Sequence, residues 1–123
     1  MIVGIGVDLV RIPRIERLLE KWGNRFKERV FSADEIRYSE SHLRCAQHFA
    51  GSFAVKEAMF KALGKGHIRF LDIEVRRNED GKPSINLYGR AREEAERMGV
   101  IGIHTSISHD GQYSVAVVIL EKE

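Results

Sequence analysis

The first residues of the chain alternate between two kinds of position. In the stretch IVGIGVDLV one face carries Val3, Ile5, Val7 and Leu9, and the other carries Ile2, Gly4, Gly6, Asp8 and Val10. Because successive side chains of a strand point to opposite faces, this period of two predicts a β-strand over residues 2–10.

Helical spacing follows the strand. Apolar residues recur at helical intervals from Ile12 to Trp22, and Pro13 suits the first turn of a helix that Gly23 ends. A short basic turn is expected from there to Phe31.

Two more helices are predicted between residues 32 and 64. Ser32 and Glu35 have the spacing of a capping box, which starts a short helix that breaks near His42. From about Arg44 the pattern is helical again up to Gly64, a glycine suited to cap a helix C-terminus. This helix is predicted to be the longest.

The remaining sequence is rich in turn signals. The predicted elements are a hairpin of strands 71–78 and 83–89 around Asp80-Gly81, a helix over 90–99, and a second hairpin over 103–121 around Asp110-Gly111. Strands grouped in antiparallel pairs, with helices to one side, predict an α+β fold. The chain has 123 residues, 43% of them hydrophobic, and is expected to form one domain over residues 1–123.

Composition and charge restrict the class of protein. No apolar run approaches the roughly 18–20 residues of a membrane span and no leader pattern is present, so we expect a cytoplasmic protein without membrane contact. A single cysteine, Cys45, fits a reducing compartment and is interpreted as a small filler on a helix. The net charge is only +2, yet residues 11–29 hold seven basic and three acidic side chains. That segment is either a solvated helix surface or a face that attracts an acidic partner.

Asp8 is the first candidate for chemistry. It shares a strand face with Gly4 and Gly6, which leaves the backbone beside its carboxylate open to a ligand. The stretch is not a dinucleotide-binding fingerprint, because Leu9 stands where the third glycine belongs. The alternative is that Asp8 caps the helix that follows.

Glu57 is the second candidate. It lies four residues after Phe53 and three before Phe60, so it projects inward from the apolar face of the longest helix. A buried carboxylate must be paired, hydrogen-bonded or bound to a metal. Pairing with Lys61, one turn further on, is one explanation. A metal shared with Asp8 is the other.

Two carboxylates on separate elements suit a hard cation such as magnesium, which also takes phosphate oxygens as ligands. Zinc is disfavoured, because the five histidines include no pair at ligand spacing and one cysteine cannot form a CxxC. Gly64, Lys65 and Gly66 offer backbone amides and a lysine to a phosphate, without the spacing of a Walker loop. His109 precedes a tight turn, where it is either a turn residue or a side chain that lines a cleft.

Three stretches together resemble a known family. They are GIGVDLVRIPRIE at 4–16, FAGSFAVKEAMFKALGKG at 49–66 and SISHDGQYSVAVVI at 106–119. In this order and at these separations they resemble the holo-[acyl-carrier-protein] synthase family, the small 4'-phosphopantetheinyl transferases. The resemblance implies magnesium-dependent transfer of 4'-phosphopantetheine from coenzyme A to a serine of apo acyl carrier protein, in support of fatty acid biosynthesis. It also implies an α+β fold and a homotrimer whose active sites are shared between neighbouring subunits.

The resemblance assigns roles residue by residue. Asp8 and Glu57 match the metal-binding acids of the family, and Lys61 matches a lysine near the pyrophosphate. These three residues form the implied catalytic group. The loop beside the nucleotide is matched by Gly64, Lys65 and Gly66. His109 matches a residue that contacts coenzyme A. Arg14 matches a basic residue that contacts the acidic helix of the carrier protein. Three routes are open for the serine proton: through a metal-bound water to Asp8, through such a water to Glu57, or directly to Lys61.

Two positions depart from the family pattern. Family members often have an arginine where this chain has Ser52, and a threonine where it has Lys65. The missing arginine would be expected to contact a phosphate of coenzyme A. The hypothesis from the sequence is that Lys65, Arg44 or His48 supplies that positive charge.

The alternative to an enzyme is a non-catalytic module whose basic helix binds an acidic protein or nucleic acid. Nucleic acid is disfavoured, because Trp22, Phe26 and Phe31 have the spacing of core residues rather than of exposed stacking residues. We therefore expect coenzyme A and acyl carrier protein as partners, and no nucleic acid.

Overall fold

Two antiparallel sheets and five α-helices form the part of the chain that the computed structural model describes, residues 1–64 and 67–123. In chain order the elements are β1 (Ile2–Arg11), α1 (Ile12–Trp22), α2 (Asn24–Val30), α3 (Ala33–Glu40), α4 (Cys45–Leu63), a 3₁₀ turn (Phe70–Asp72), β2 (Ile73–Arg77), β3 (Pro83–Leu87), α5 (Gly89–Arg97), β4 (Gly102–Asp110) and β5 (Tyr113–Glu121). The predicted α+β fold is confirmed.

The larger sheet has the strand order β1-β5-β4, and both neighbouring pairs are antiparallel. Asp8 of β1, Ala116 of β5 and Ile107 of β4 stand in one row across it. The second sheet is the predicted β2-β3 hairpin, whose turn holds Gly81 at a φ of +83°. Helix α4 packs on one face of the larger sheet and also contacts α1, α3 and β2, so it forms the centre of the core.

The glycines of β1 let α4 approach the strand closely. A Cβ atom added to Gly6 would collide with the carbonyl oxygen of Ala58, and one added to Gly4 would collide with that of Ala62. The helix therefore covers the glycine face, and the interpretation of that face as open to a ligand is wrong. The close approach instead brings Asp8, on the same strand face, against α4.

Helix α4 is the longest helix, as predicted. It begins at Cys45, which is half-buried against the core, and it ends at Leu63. Gly64 is the C-cap residue, and its φ of +69° confirms the predicted glycine cap. None of the described helices is long and apolar enough to cross a membrane.

A buried ion pair that no sequence pattern predicted ties α3 and α4 to β2. Lys56 Nζ lies 2.9 Å from Glu35 Oε1, and the two side chains are 0% and 1% exposed. Lys56 also donates to the carbonyl oxygen of Ile73, while Glu35 accepts from the backbone N–H of Val75 and completes the predicted capping box with Ser32. Burial lowers the pKa of Lys56, and the neighbouring Glu35 opposes that shift.

One connecting segment differs from its prediction. The residues between Gly23 and Phe31 form the helix α2 rather than a basic turn. Phe26 makes the difference, because its ring packs on those of Phe31 and Phe53, at centroid distances of 5.7 and 6.5 Å. These contacts hold the segment against the core.

Candidate active site

Asp8 and Lys61 meet where β1 packs on α4. Lys61 Nζ lies 3.2 Å from Asp8 Oδ1 and donates a 2.9 Å hydrogen bond to the carbonyl oxygen of Val7. The Asp8 side chain is 17% exposed, whereas that of Lys61 is 57% exposed. The alternative in which Asp8 caps α1 is wrong, because the N-cap residue of that helix is Arg11.

Glu57 lies one helical turn before Lys61 on the same side of α4. Burial raises the pKa of Glu57, and Asp8 raises it further, whereas Arg14 and Lys61 act in the opposite direction. Two carboxylates and two cations therefore share this corner of the fold. Lys61 pairs with Asp8, and within the described residues no salt bridge joins it to Glu57, so that predicted alternative is not formed.

The carboxylates of Asp8 and Glu57 are the donors available to a cation here. Within residues 1–64 and 67–123 there is no group of three or more His, Cys, Asp or Glu side chains placed to hold a metal ion. No described residue donates a hydrogen bond to the half-buried Glu57 carboxylate, so its oxygens are available for coordination. Two such oxygen donors fit magnesium, which keeps several waters and takes further ligands from phosphate.

The surface of α1 and α2 adjoins this corner. Arg14 is exposed and its guanidinium carbon lies 5.6 Å from the ring centroid of Phe53. A groove of about 580 Å³ runs along the two helices, with Trp22 and Phe26 in its lining. The core position expected for Trp22 is wrong, since that residue is 45% exposed, whereas the expectation for Phe31, 2% exposed, agrees with the structure.

Basic side chains frame the exposed Trp22. Lys21 Nζ and the guanidinium carbon of Arg25 lie 5.1 and 5.8 Å from its ring centroid. The groove therefore combines apolar side chains with the two arginines Arg25 and Arg29 and one acidic residue, Glu28.

His109 belongs to a second cluster, on the other outer strand of the larger sheet. Its Nδ1 lies 2.6 Å from Oγ of Ser114, and its ring centroid lies 6.2 Å from that of His48. Burial lowers the pKa of His109, and Arg77 lowers it further. Burial also lowers the pKa of His48 to about 4, with His42 as the next cause. Both His48 and His109 are therefore mainly neutral at pH 7, and His109 is more than a turn residue.

Arg77 of β2 completes the second cluster, and the sequence prediction did not include it. Its guanidinium carbon lies 4.9 Å from the ring centroid of Tyr38, and its Nη1 is 3.5 Å from the Tyr38 hydroxyl. Its Nε and Nη2 atoms are buried without a hydrogen-bond partner among the described residues. In the sequence Arg77 is simply the second of two adjacent arginines before a turn, which is no signal of function.

Ser52, the position that departs from the family pattern, lies beside Arg77. It is 3% exposed and lines a cavity of about 240 Å³ together with Tyr38, Val75 and Arg77. Another element of the fold, β2, thus supplies a guanidinium group to the cavity that Ser52 lines.

The three predicted substitutes for the missing arginine fall in different places. His48 lies in the second cluster. Arg44 is the N-cap of α4, and its backbone is about 12 Å along the helix from Ser52. Lys65 and the neighbouring Gly66 lie outside the described residues.

The two clusters lie on opposite outer strands of the larger sheet. Asp8 is on β1 and His109 on β4, with β5 between them. Because neighbouring strands are about 4.8 Å apart, the outer strands are separated by about 10 Å. Helix α4 packs over the strands between the clusters. Within residues 1–64 and 67–123, the candidate site residues therefore form two separate clusters.

Comparison with known proteins identifies the class to which this fold and site belong. The chain belongs to the 4'-phosphopantetheinyl transferase superfamily, whose family model matches residues 4–118. The resemblance seen in the three sequence stretches is confirmed.

Individual relatives are similar over almost their whole length. Holo-[acyl-carrier-protein] synthase of Syntrophus aciditrophicus is 45% identical over 124 residues, which cover 98% of this chain and 97% of that protein. The solved holo-ACP-synthase of Plasmodium yoelii has a TM-score of 0.87 at 32% identity, covering 100% of this chain and 97% of that one. Holo-[acyl-carrier-protein] synthase of Helicobacter pylori, solved in complex with coenzyme A, has a TM-score of 0.83 at 33% identity, covering 95% and 99%.

Proposed function

We propose that this chain is a holo-[acyl-carrier-protein] synthase. It transfers 4'-phosphopantetheine from coenzyme A to a serine hydroxyl of apo acyl carrier protein and releases adenosine 3',5'-bisphosphate. The observation that carries the proposal is the meeting of Asp8, Glu57 and Lys61 where β1 packs on α4. The names of the relatives and the coenzyme A complex of the H. pylori protein support the substrates.

The wider context is part of the same proposal. Residues 1–123 act as one transferase domain, and the product serves fatty acid biosynthesis. The single cysteine supports a reducing, cytoplasmic location.

The three side chains have complementary tasks in the transfer. The exposed ammonium group of Lys61 provides a positive charge for a diphosphate oxygen, and Asp8 holds it in place through their 3.2 Å contact. Burial raises the pKa of Glu57, and a cation bound at its carboxylate would oppose that shift. We therefore propose that the serine proton passes to one of the three side chains, Asp8, Glu57 or Lys61. Phosphoryl transfer depends mainly on such positioning and charge stabilisation.

We further propose magnesium at Asp8 and Glu57, supported by the donor chemistry of the two carboxylates. Held by these two carboxylates, magnesium would supply positive charge for the departing bisphosphate. Gly64, Lys65, Gly66 and His109 are proposed to contact coenzyme A, as the family resemblance implies.

The carrier protein is proposed to dock on the surface of α1 and α2. Its acidic helix would meet Arg14, Arg25 and the apolar groove that contains Trp22. Long-range attraction speeds such an encounter, while the apolar floor adds contact area.

The active sites are proposed to be shared between the subunits of a homotrimer. The face of β1 opposite α4 exposes Ile5, Val7 and Leu9 by 63%, 56% and 63%. A row of large apolar side chains on one sheet face is typical of a protein–protein interface. A neighbouring copy there would bring the His109 cluster of one chain to the Asp8 cluster of another.

A transfer assay tests the proposed function. Coenzyme A labelled in its pantetheine group is incubated with the protein, an apo acyl carrier protein and magnesium. We expect label on the carrier protein, loss of transfer with a chelator, and recovery with added magnesium. Asp8→Asn and Glu57→Gln should each lower kcat by about 100-fold or more and leave the unfolding temperature nearly unchanged.

Glu93→Gln is the matched control, because it makes the same chemical change at an exposed position of α5. It should retain the activity of the unmodified protein. Absence of label transfer by the unmodified protein would overturn the proposal and favour the non-catalytic module. Full activity of either site variant would remove the metal assignment.

A further inference from the structure

Arg77 has hydrogen-bond donor atoms for which no described residue provides an acceptor. Its Nε and Nη2 are both buried without partners. These two groups lie on the same edge of the guanidinium plane, which is the edge that binds a carboxylate or phosphate through two parallel hydrogen bonds. Buried donors of a charged group are unfavourable until an anion or a water molecule accepts their hydrogen bonds.

The surroundings of Arg77 favour an anion. Tyr38 covers one face of the guanidinium group, and the Nδ1 of His48 is likewise buried without a partner among the described residues. Arg77 lowers the pKa of His109 after burial does, which places positive charge close to that ring. An anion bound here would have both a guanidinium group and imidazole nitrogens to contact.

The acidic residues that line the adjoining cavity are already engaged. Glu35 Oε1 lies 2.9 Å from Lys56 Nζ, and Asp34 Oδ1 lies 2.9 Å from Arg37 Nη1. The cavity of about 240 Å³ has room for a phosphate group or several waters. Arg77 therefore has no carboxylate partner among the described residues, and it lines a cavity large enough for a phosphate group.

We propose that Arg77 binds the 3'-phosphate of coenzyme A, in place of the arginine that the family pattern puts at Ser52. This inference rests on the proposed function, which supplies the ligand. Coenzyme A carries three phosphate groups, and the two of its diphosphate are needed at Asp8, Glu57 and Lys61. The remaining group is the 3'-phosphate monoester, which has the charge and geometry to match the free edge of the guanidinium group.

The position of Arg77 explains why it can substitute. Ser52 and Arg77 line the same cavity, and Nη2 of Arg77 lies 3.6 Å from the position of a Cβ on Gly51. The guanidinium group from β2 thus lies beside the helix position from which the family arginine would extend.

The variant Arg77→Met tests the proposal kinetically, since it retains an unbranched side chain and removes the charge. We expect the KM for coenzyme A to rise by about 10- to 100-fold, with kcat little changed. The KM for dephospho-coenzyme A, which lacks the 3'-phosphate, should stay the same. Arg92→Met, on an exposed arginine of α5 whose side chain is 70% exposed, controls for loss of one positive charge and should change neither constant.

Calorimetry on the full chain gives a readout that is independent of turnover. Adenosine 3',5'-bisphosphate should bind Arg77→Met about 10- to 100-fold more weakly than the unmodified protein, whereas adenosine 5'-monophosphate should bind both equally. An unchanged bisphosphate affinity would overturn the proposal. Equal loss for both nucleotides would overturn it as well, because Arg77 would not then recognise the 3'-phosphate.

A measurement on the unmodified protein covers the case in which Arg77→Met fails to fold. Titration with adenosine 3',5'-bisphosphate should shift the ring resonances of His48 and His109 in the NMR spectrum, and adenosine 5'-monophosphate should shift them much less. Binding of the bisphosphate without these shifts would exclude the site. If the unmodified protein neither transfers the label nor binds coenzyme A, the proposed function is wrong. If the unmodified protein does both and Arg77→Met has the same constants, only the assignment of Arg77 is wrong.

Discussion

Lys56 and Lys61 lie on the same helix and have different roles. Five residues of α-helix turn a side chain by about 140°, so the two lysines point in different directions from α4. Lys56 is fully buried and is satisfied by Glu35 and backbone carbonyls, whereas the Lys61 side chain is 57% exposed beside Asp8. Only Lys61 can reach a substrate without unfolding the core, while the Lys56 charge serves the fold. Removing one partner of such a buried pair destabilises a protein by about 3–5 kcal/mol.

Arg14 lies between the carboxylates of Asp8 and Glu57 and the proposed carrier-binding surface of α1 and α2. Arg14→Ala should raise the KM for the carrier protein by up to about fivefold, the usual range for one exposed charge, and weaken its dependence on salt. The KM for coenzyme A should hardly change. The assay compares rates at low and high salt over a series of pH values, because Arg14 also lowers the pKa of Glu57 and its removal would shift the pH profile as well.

The control for Arg14 is Arg90→Ala, which removes an exposed charge from α5. It should leave the salt dependence as it is in the unmodified protein. If Arg14→Ala also kept the full salt dependence, the carrier protein would have to dock on another face.

The contact between β1 and α4 sets the geometry of the proposed catalytic group. Gly4 and Gly6 remove two side chains from the strand, and the small Ala58 and Ala62 face them from the helix. The backbones approach each other more closely than larger residues would allow. Asp8, two residues after Gly6 on the same face, is thereby held against α4. The catalytic geometry therefore depends on residues that take no part in the chemistry.

Gly6→Ala tests this dependence. Because its Cβ would collide with the backbone of Ala58, we expect a loss of about 1–3 kcal/mol in the free energy of unfolding. The transfer activity of the folded protein should fall as well, because Asp8 would move away from Lys61. Loss of stability alone would not lower the activity of molecules that remain folded. Urea unfolding and the transfer assay measure the two effects on the same sample.

Gly102→Ala is the matched control, a strand glycine of the same sheet. Its added Cβ would meet only side-chain atoms of Glu121 and His104, at 3.3 Å, and these exposed side chains can move. It should change stability by less than about 1 kcal/mol and leave activity intact. Equal effects of the two substitutions would show that the close contact does not position the site.

Local pattern was sufficient for most elements of this fold. Strand alternation, the Ser32 capping box and the glycine cap of α4 each depend on neighbouring residues, and the structure agrees with them. The helix α2 was not predicted, because Phe26 acquires its helix-stabilising contact only when Phe53 is folded against it. Arg77 could not be assigned for the same reason: only the packing of β2 beside α4 brings it to Ser52.

Considered as a whole, the molecule has one cluster of candidate site residues at each side of its larger sheet. The Asp8 and His109 clusters are separated by the width of β5 and by α4. The apolar row of Ile5, Val7 and Leu9 faces away from the helix, and no described residue buries it. Joining copies through this face would cover the row and could complete both sites at once. The proposal of three copies is supported by the family resemblance alone.

Co-expression of two defective chains tests whether the sites are shared. Asp8→Asn damages one partial site and His109→Ala the other, so each protein alone should be nearly inactive. In mixed oligomers, an intact Asp8 cluster from one chain can meet an intact His109 cluster from its neighbour. If the chains mix at random, about a quarter of the sites should regain both intact halves, and activity should recover to about that fraction. Asp8→Asn co-expressed with Glu57→Gln damages the same half in both chains and should recover nothing. Equal activity of the two mixtures, measured on oligomers of the same mass by light scattering, would mean that each chain builds its own complete site.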